Sequence, residues 1–124
     1  MERLLLVEHN LLFREGLALL LEWRTGLGSV HAGSLAEARR VLDVTSRKLA
    51  CAVVDLDLPE GEGTELLKQL NGLPMLALLR SPNRERRREA KGLGANQVLL
   101  TTEAPEKIVA AVEQLIGPRS ITTF

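Results

Sequence analysis

The 124-residue chain balances 16 Lys and Arg against 16 Asp and Glu, giving zero formal net charge, and is 45% hydrophobic and 26% charged. That length suits one domain with a core that needs no disulfide or metal staple, and the balanced charge argues against a bulk electrostatic partner such as nucleic acid while permitting a local patch. The one cysteine, Cys51, lies in an apolar run and reads as a buried, reduced thiol, for which the cytoplasm is the simplest setting.

In chain order, short apolar runs alternate with helical patterns. Arg3 to Val7 is predicted as a buried strand, far too short for a signal-peptide core or a membrane span. Leu11, Leu12, Ala18, Leu19 and Trp23 recur at helical spacing, so a first helix is expected to end near Arg24, before Thr25-Gly26, with Trp23 in core or helix-end packing. Ser29 to Ala32 is a weak second strand. Ser34-Leu35-Ala36-Glu37 has capping-box spacing and predicts a second helix to about Arg47.

Cys51 to Val54 is a continuous apolar run that ends on the carboxylates Asp55 and Asp57, as a strand buried on both faces of a parallel sheet would. Asp55 would sit at the carboxyl end of that strand, the edge where open α/β sheets place their ligands. Pro59, Gly61 and Gly63 turn the chain into a third helix, Thr64 to Leu70, which Asn71-Gly72 stops.

Pro74 to Leu79 is a fourth strand, and Ser81-Pro82 is expected to open a fourth helix with the proline in its first turn. The run Arg84 to Lys91 offers almost no apolar stripe, which predicts a weak hold on the sheet and a surface that a partner could complete. Gly92 and Gly94 end it. Val98 to Leu100 is a fifth strand, and Pro105 opens a last helix with Ile108, Val109, Val112, Leu115 and Ile116 on one face, stopped by Gly117-Pro118. Five strand-helix pairs imply a parallel sheet covered on both sides. One domain, residues 1–118, with a short tail at 119–124, is the expected organisation.

Val7-Glu8-His9-Asn10 through Leu17, Val54-Asp55-Leu56-Asp57-Leu58-Pro59 with Gly63, Pro74 to Leu79, and Gly94-Ala95-Asn96 together resemble the receiver domain of two-component response regulators, in the form that precedes a helix-turn-helix output domain. The resemblance covers nearly the whole chain. It implies an α/β, flavodoxin-like (CheY-like) three-layer sandwich with five parallel strands in the order 2-1-3-4-5 and five helices.

The resemblance also implies chemistry, position by position. Asp55 matches the aspartate that takes a phosphoryl group from a histidine kinase. Glu8 matches one of two acidic residues that hold Mg²⁺, and His9 stands where the second belongs, a poor oxygen-site substitute. Asp57 matches the residue whose backbone carbonyl is a further metal ligand, and its side chain could add a carboxylate. Leu79 replaces the family's serine or threonine, Thr101 its lysine, and Val98 its aromatic switch. Three missing electrostatic or metal groups should slow phosphoryl transfer severely. Arg80, in a position small in the family, is expected to pair with Asp55, Asp57 or Glu8 in place of metal and lysine.

Two classes of function follow. One is a phosphorylation-independent or weakly phosphorylatable interaction module within two-component signal transduction; the other is a conventional receiver phosphorylated on Asp55 that controls a DNA-binding output. The departures at His9, Leu79, Thr101 and Val98 favour the first. A third reading, nucleic-acid binding through the arginine-rich helix with Arg84, Arg87, Arg88 and Lys91, has least support at zero net charge and without interleaved aromatics. The expected partners are a histidine kinase or other signalling protein and a second copy, docked through the fourth helix, fifth strand and fifth helix, with no membrane association; enzyme activity is not expected.

Overall fold

A computed structural model describes residues 2–45, 48–59 and 63–117. The elements alternate as β1 (Arg3–Val7), α1 (Leu11–Thr25), β2 (Ser29–Ala32), α2 (Leu35–Thr45), β3 (Leu49–Asp55), α3 (Gly63–Gln69), β4 (Met75–Leu79), α4 (Arg84–Gly92), β5 (Gln97–Leu100) and α5 (Pro105–Ile116). All strand pairs are parallel, in the order β2-β1-β3-β4-β5.

The period-two alternation of the strands divides the core into two layers. Leu5, Val7, Ala52, Val54, Ala77 and Leu79 pack toward α2, α3 and Ala90 of α4. Leu4, Leu6, Cys51, Val53, Leu76 and Leu78 pack toward α1 and α5. β3 is buried at all seven residues, which is why it lacks an alternating pattern in sequence. Cys51 is among them, and burial pushes its thiol up to about 12, so it is chemically inert at neutral pH.

Local signals set the helix ends. Asn10 caps α1 by accepting from the Phe13 N–H at 2.9 Å, and Gly26, at φ 77°, closes it in a left-handed turn. Ser34 Oγ accepts from the Glu37 N–H as the capping box requires, but the Glu37 carboxylate reaches the Gly33 N–H instead of that of the cap residue.

Three sequence expectations shift, and two others fall outside the described residues. Pro82 lies outside α4, because Asn83 takes the cap by accepting from the Arg86 N–H. β3 begins at Leu49, two residues ahead of Cys51. α2 ends at Thr45, and both its expected end at Arg47 and the tail at 119–124 lie outside the described residues. Trp23 is not in the core: Leu17 and Leu21 face the sheet, while Leu12, Leu19 and Trp23 stand 85%, 69% and 82% exposed on the far side of α1. The helical period was right, but it marked the outer stripe.

One glycine fixes the approach of α3 to the sheet edge. A Cβ on Gly63 would lie 2.5 Å from the Asp55 carbonyl oxygen and 2.8 Å from Leu56 Cα, both backbone atoms that cannot swing aside. Gly63→Ala is therefore expected to lower stability by about 1–3 kcal/mol in a urea titration, through overpacking at the carboxyl end of β3. No helix among the described residues is long and apolar enough to cross a membrane.

Candidate functional site

Parallel strands bring their carboxyl ends to one edge, and there β1 delivers Glu8, β3 delivers Asp55 and Asp57, β4 delivers Arg80 and β5 delivers Thr101. Asp55 is 1% exposed and Glu8 5% exposed, an unusual depth for carboxylates. The Asp55 Oδ1 accepts from the Asp57 N–H at 2.8 Å and the Glu8 Oε2 from the Asn10 N–H at 2.9 Å. Asp55 Oδ2 and Glu8 Oε1 are buried without a hydrogen-bond partner among the described residues.

The electrostatics follow from that burial. Desolvation raises the Glu8 carboxyl above its ordinary value; the Asn10 N–H offsets part of the rise and the Asp55 charge adds to it. Desolvation also raises Asp55, against the Asp57 N–H and the Arg80 charge. Asp57 behaves oppositely. Burial alone would raise it, but a hydrogen bond from Arg86, one from the Arg80 N–H and the charges of both arginines hold it below its ordinary value.

The ion pair expected of Arg80 is made by Arg86. Arg80 is exposed and its side chain makes no ion pair among the described residues; its backbone N–H donates to Asp57 Oδ2 at 2.8 Å. Arg86, in the first turn of α4, instead donates from one guanidinium nitrogen to Asp57 Oδ1 and from the other to the Leu56 carbonyl at 2.9 Å. Arg80 follows β4 directly and its charge acts on the carboxylates without an ion pair, whereas the Asn83 cap starts α4 so that its third residue meets the β3 loop. Sequence reading passed over Arg86 as one arginine among several; its place three residues after a capping Asn was the available signal.

The other departed positions fall into place around this core. Leu79 is buried, and its carbonyl accepts from the Thr101 N–H at 2.7 Å, so the backbones at the two substituted positions are joined. Thr101 Oγ1 is buried without a partner among the described residues. Val98 pairs with Ala77 and is packed in the core, one layer below the edge. His9 is exposed, with Nδ1 3.4 Å from the Gly33 carbonyl, turned toward the β2 side. Arg14, also unforeseen, donates to the Glu8 carbonyl and to His31 Nδ1, bracing the turn after β1. Arg84, Arg87, Arg88 and Lys91 line the solvent side of α4.

A magnesium site needs several oxygen ligands at one point. The two orphaned carboxylate oxygens of Glu8 and Asp55 fit part of that need. His9 offers no oxygen, the Asp57 carboxylate is engaged by Arg86, and among the described residues no three acidic, His or Cys side chains gather at metal-binding distance. What the edge offers the ion is therefore Glu8, Asp55 and the Asp57 backbone carbonyl, with no second acid at position 9.

A doubly covered parallel sheet with a buried aspartate and glutamate at its carboxyl edge defines a receiver-type signalling domain. The chain belongs to the response regulator receiver domain family, whose model matches residues 4–113. Among solved structures it is similar to a two-component response regulator of the LuxR family from Aurantimonas sp. SI85-9A1, at 26% identity and a TM-score of 0.82, covering 92% of this chain and 84% of that one. A response regulator from Burkholderia pseudomallei, crystallised with a phosphorylated aspartic acid, calcium ion and citrate, matches at 25% identity and a TM-score of 0.81, over 94% of this chain and 69% of that one. A receiver domain protein of Methanospirillum hungatei JF-1 shares the fold at 19% identity and a TM-score of 0.84, over 94% of each chain. No curated protein matches the chain.

Proposed function

We propose that this receiver domain works in two-component signal transduction as a protein-interaction module held in one state by Arg86, with phosphorylation of Asp55 slow and not needed for binding. The observation that carries this reading is the two-pronged contact of Arg86 with Asp57 and Leu56. It ties α4 to the loop that follows the phosphoacceptor position, so the face that would report phosphorylation is fastened by a protein cation. Leu79, Thr101 and His9 support the same reading, since hydroxyl, lysine and second acid are each gone.

The module's partner is a signalling protein, a histidine kinase or another component of the pathway, met in the cytoplasm. Its docking surface is the outer side of α4, where Arg84, Arg87, Arg88 and Lys91 offer cationic groups to an acidic surface. Two such faces brought together would repel, which favours a different protein over a second copy at this position.

A backbone amide NMR titration with Mg²⁺, then Mg²⁺ with beryllofluoride, tests the proposal. Arg86→Ala serves as comparison, because loss of a charge-assisted contact at a part-buried site costs only about 1–2 kcal/mol and leaves the fold intact. The wild-type chain is expected to show weak, non-saturating shifts confined to Glu8 and Asp55 at millimolar magnesium. Arg86→Ala is expected to shift the amides of Asp57 and α4 before any ion is added. Saturable wild-type shifts that spread from Asp55 into α4 would show a working phosphorylation switch and remove the proposal.

A further inference from the structure

We infer that Asn71 is a self-modifying site, at which the chain converts an asparagine to aspartate or isoaspartate and so places a new negative charge in the cleft between α3 and α4. The chain has four asparagines, and the fold holds three of them by the side chain. Asn10 Oδ1 accepts from the Phe13 N–H at 2.9 Å, Asn83 Oδ1 from the Arg86 N–H at 3.0 Å, and Asn96 Oδ1 from the Met75 N–H at 2.8 Å. Asn71 stands exposed in the turn after α3, and its side chain makes no hydrogen bond among the described residues. Attack on a held asparagine must first break its hydrogen bond; Asn71 has no such cost.

The following residue decides the chemistry. Leu11, Arg84 and Gln97 follow the three held asparagines, whereas Gly72 follows Asn71. With no side chain to crowd the approach, Gly72 rests at φ 95° in open space, and its N–H is unbonded among the described residues. Its nitrogen attacks Asn71 Cγ: the N–Cγ bond forms, the Cγ–Nδ2 bond breaks, and Nδ2 leaves as ammonia with the proton of the Gly72 nitrogen. Both reacting groups belong to one exposed turn, so the step is unimolecular. Water then opens the cyclic imide on the Cγ side to leave aspartate, or on the backbone side to leave isoaspartate. The product has a setting. Asn71 lines a cleft of about 330 Å³ with Lys68 of α3 and Lys91, Leu93 and Gly94 at the end of α4. Its Oδ1 lies 4.0 Å from the place a Cβ on Gly94 would take, which sets it on the α4 side of the turn. Neither lysine has an ion pair among the described residues, so a carboxylate at position 71 shares the cleft with two uncommitted cations. Lys91 also belongs to the cationic docking face of α4, so conversion lowers the charge of that face as the protein ages; this last consequence alone rests on the function proposed above.

Peptide mapping by mass spectrometry, on the full chain aged in mildly alkaline buffer both folded and in urea, tests the inference without reference to any partner. In the folded chain Asn71 is expected to convert at least about tenfold faster than Asn10, Asn83 or Asn96, a barrier difference of about 1.4 kcal/mol or more. Folding should slow the three held residues and leave Asn71 near its unfolded rate. The aspartyl and isoaspartyl peptides separate by chromatography, and both should form. Asn71→Gln, at an exposed position, keeps the fold and loses the conversion, since its longer side chain closes the ring far more slowly. Asn71→Asp supplies one product in homogeneous form and is expected to shift the side-chain NMR signals of Lys68 and Lys91. Two results overturn the inference: Asn71 protected by folding as strongly as the held asparagines, which means the turn denies the attack, or lysine signals unmoved in Asn71→Asp, which means the new charge does not reach the cleft.

Discussion

Leu79→Thr combined with Thr101→Lys is expected to raise the rate at which Asp55 accepts a phosphoryl group from a small acyl-phosphate donor by about 10²–10³-fold, the effect of one well-placed electrostatic group. The two positions are joined by the Thr101 N–H to Leu79 carbonyl bond at the carboxyl edge that also carries Asp55, so a hydroxyl and an ammonium are introduced at that edge. Charge neutralisation and positioning make up most of phosphoryl-transfer catalysis, and the lost groups are of that kind. Adding His9→Asp supplies the missing carboxylate, and the rate should then become strongly magnesium-dependent. Replacing the buried Leu79 costs about 2–3 kcal/mol of stability, so folding is checked first. Intact-mass measurement of the phosphorylated fraction over time gives the rate. Equal rates in wild type and variant would mean that the departures at positions 79 and 101 do not limit the chemistry.

Asp55→Asn is expected to stabilise the domain by about 1–3 kcal/mol near pH 8, because it removes a charge that burial leaves partly uncompensated. The sign follows from proton linkage. Asp55 and Glu8 have folded-state values raised above 3.8 and 4.5, so between those ordinary values and the raised ones the folded state binds more protons than the unfolded chain. Stability from this pair is present at acid pH and is lost as pH rises through the raised values. Asp57 has the opposite slope: its folded-state value is depressed below 3.8, so its contribution is present above the ordinary value and lost on acidification. Urea unfolding from pH 4 to pH 8 should therefore show wild type losing stability with rising pH and Asp55→Asn losing less, the two curves meeting near pH 4. Parallel curves would mean that Asp55 and Glu8 are not the source of the pH dependence.

The sheet was legible because its strands are apolar on both faces and end at turn residues. The run Cys51 to Val54 announced β3, and the carboxylates after it announced the edge. Helices were legible in period but not always in phase. α1 carries leucines on both its inner and outer sides, so apolar spacing alone could not say whether Leu17 and Leu21 or Leu12, Leu19 and Trp23 faced the sheet. The acidic residues of the site were readable since each lies at or within two residues of the end of an apolar strand. The arginine that engages Asp57 was not, because Arg86 reaches it from a separate element 29 residues away, and which of several arginines does so depends on where Asn83 starts the helix.

α4 buries a single side chain, Ala90, and its first turn is joined to the β3 loop by the Arg86 guanidinium. A helix with so little apolar contact depends on that guanidinium for its hold, so removing it should let α4 open while the sheet stays intact. Amide hydrogen exchange should divide accordingly: β1 and β3 protected up to the global limit in wild type and Arg86→Ala alike, α4 losing its protection only in Arg86→Ala. A partner that binds only the formed helix would then bear the ordering cost, and its affinity would track the fraction of time that α4 is folded.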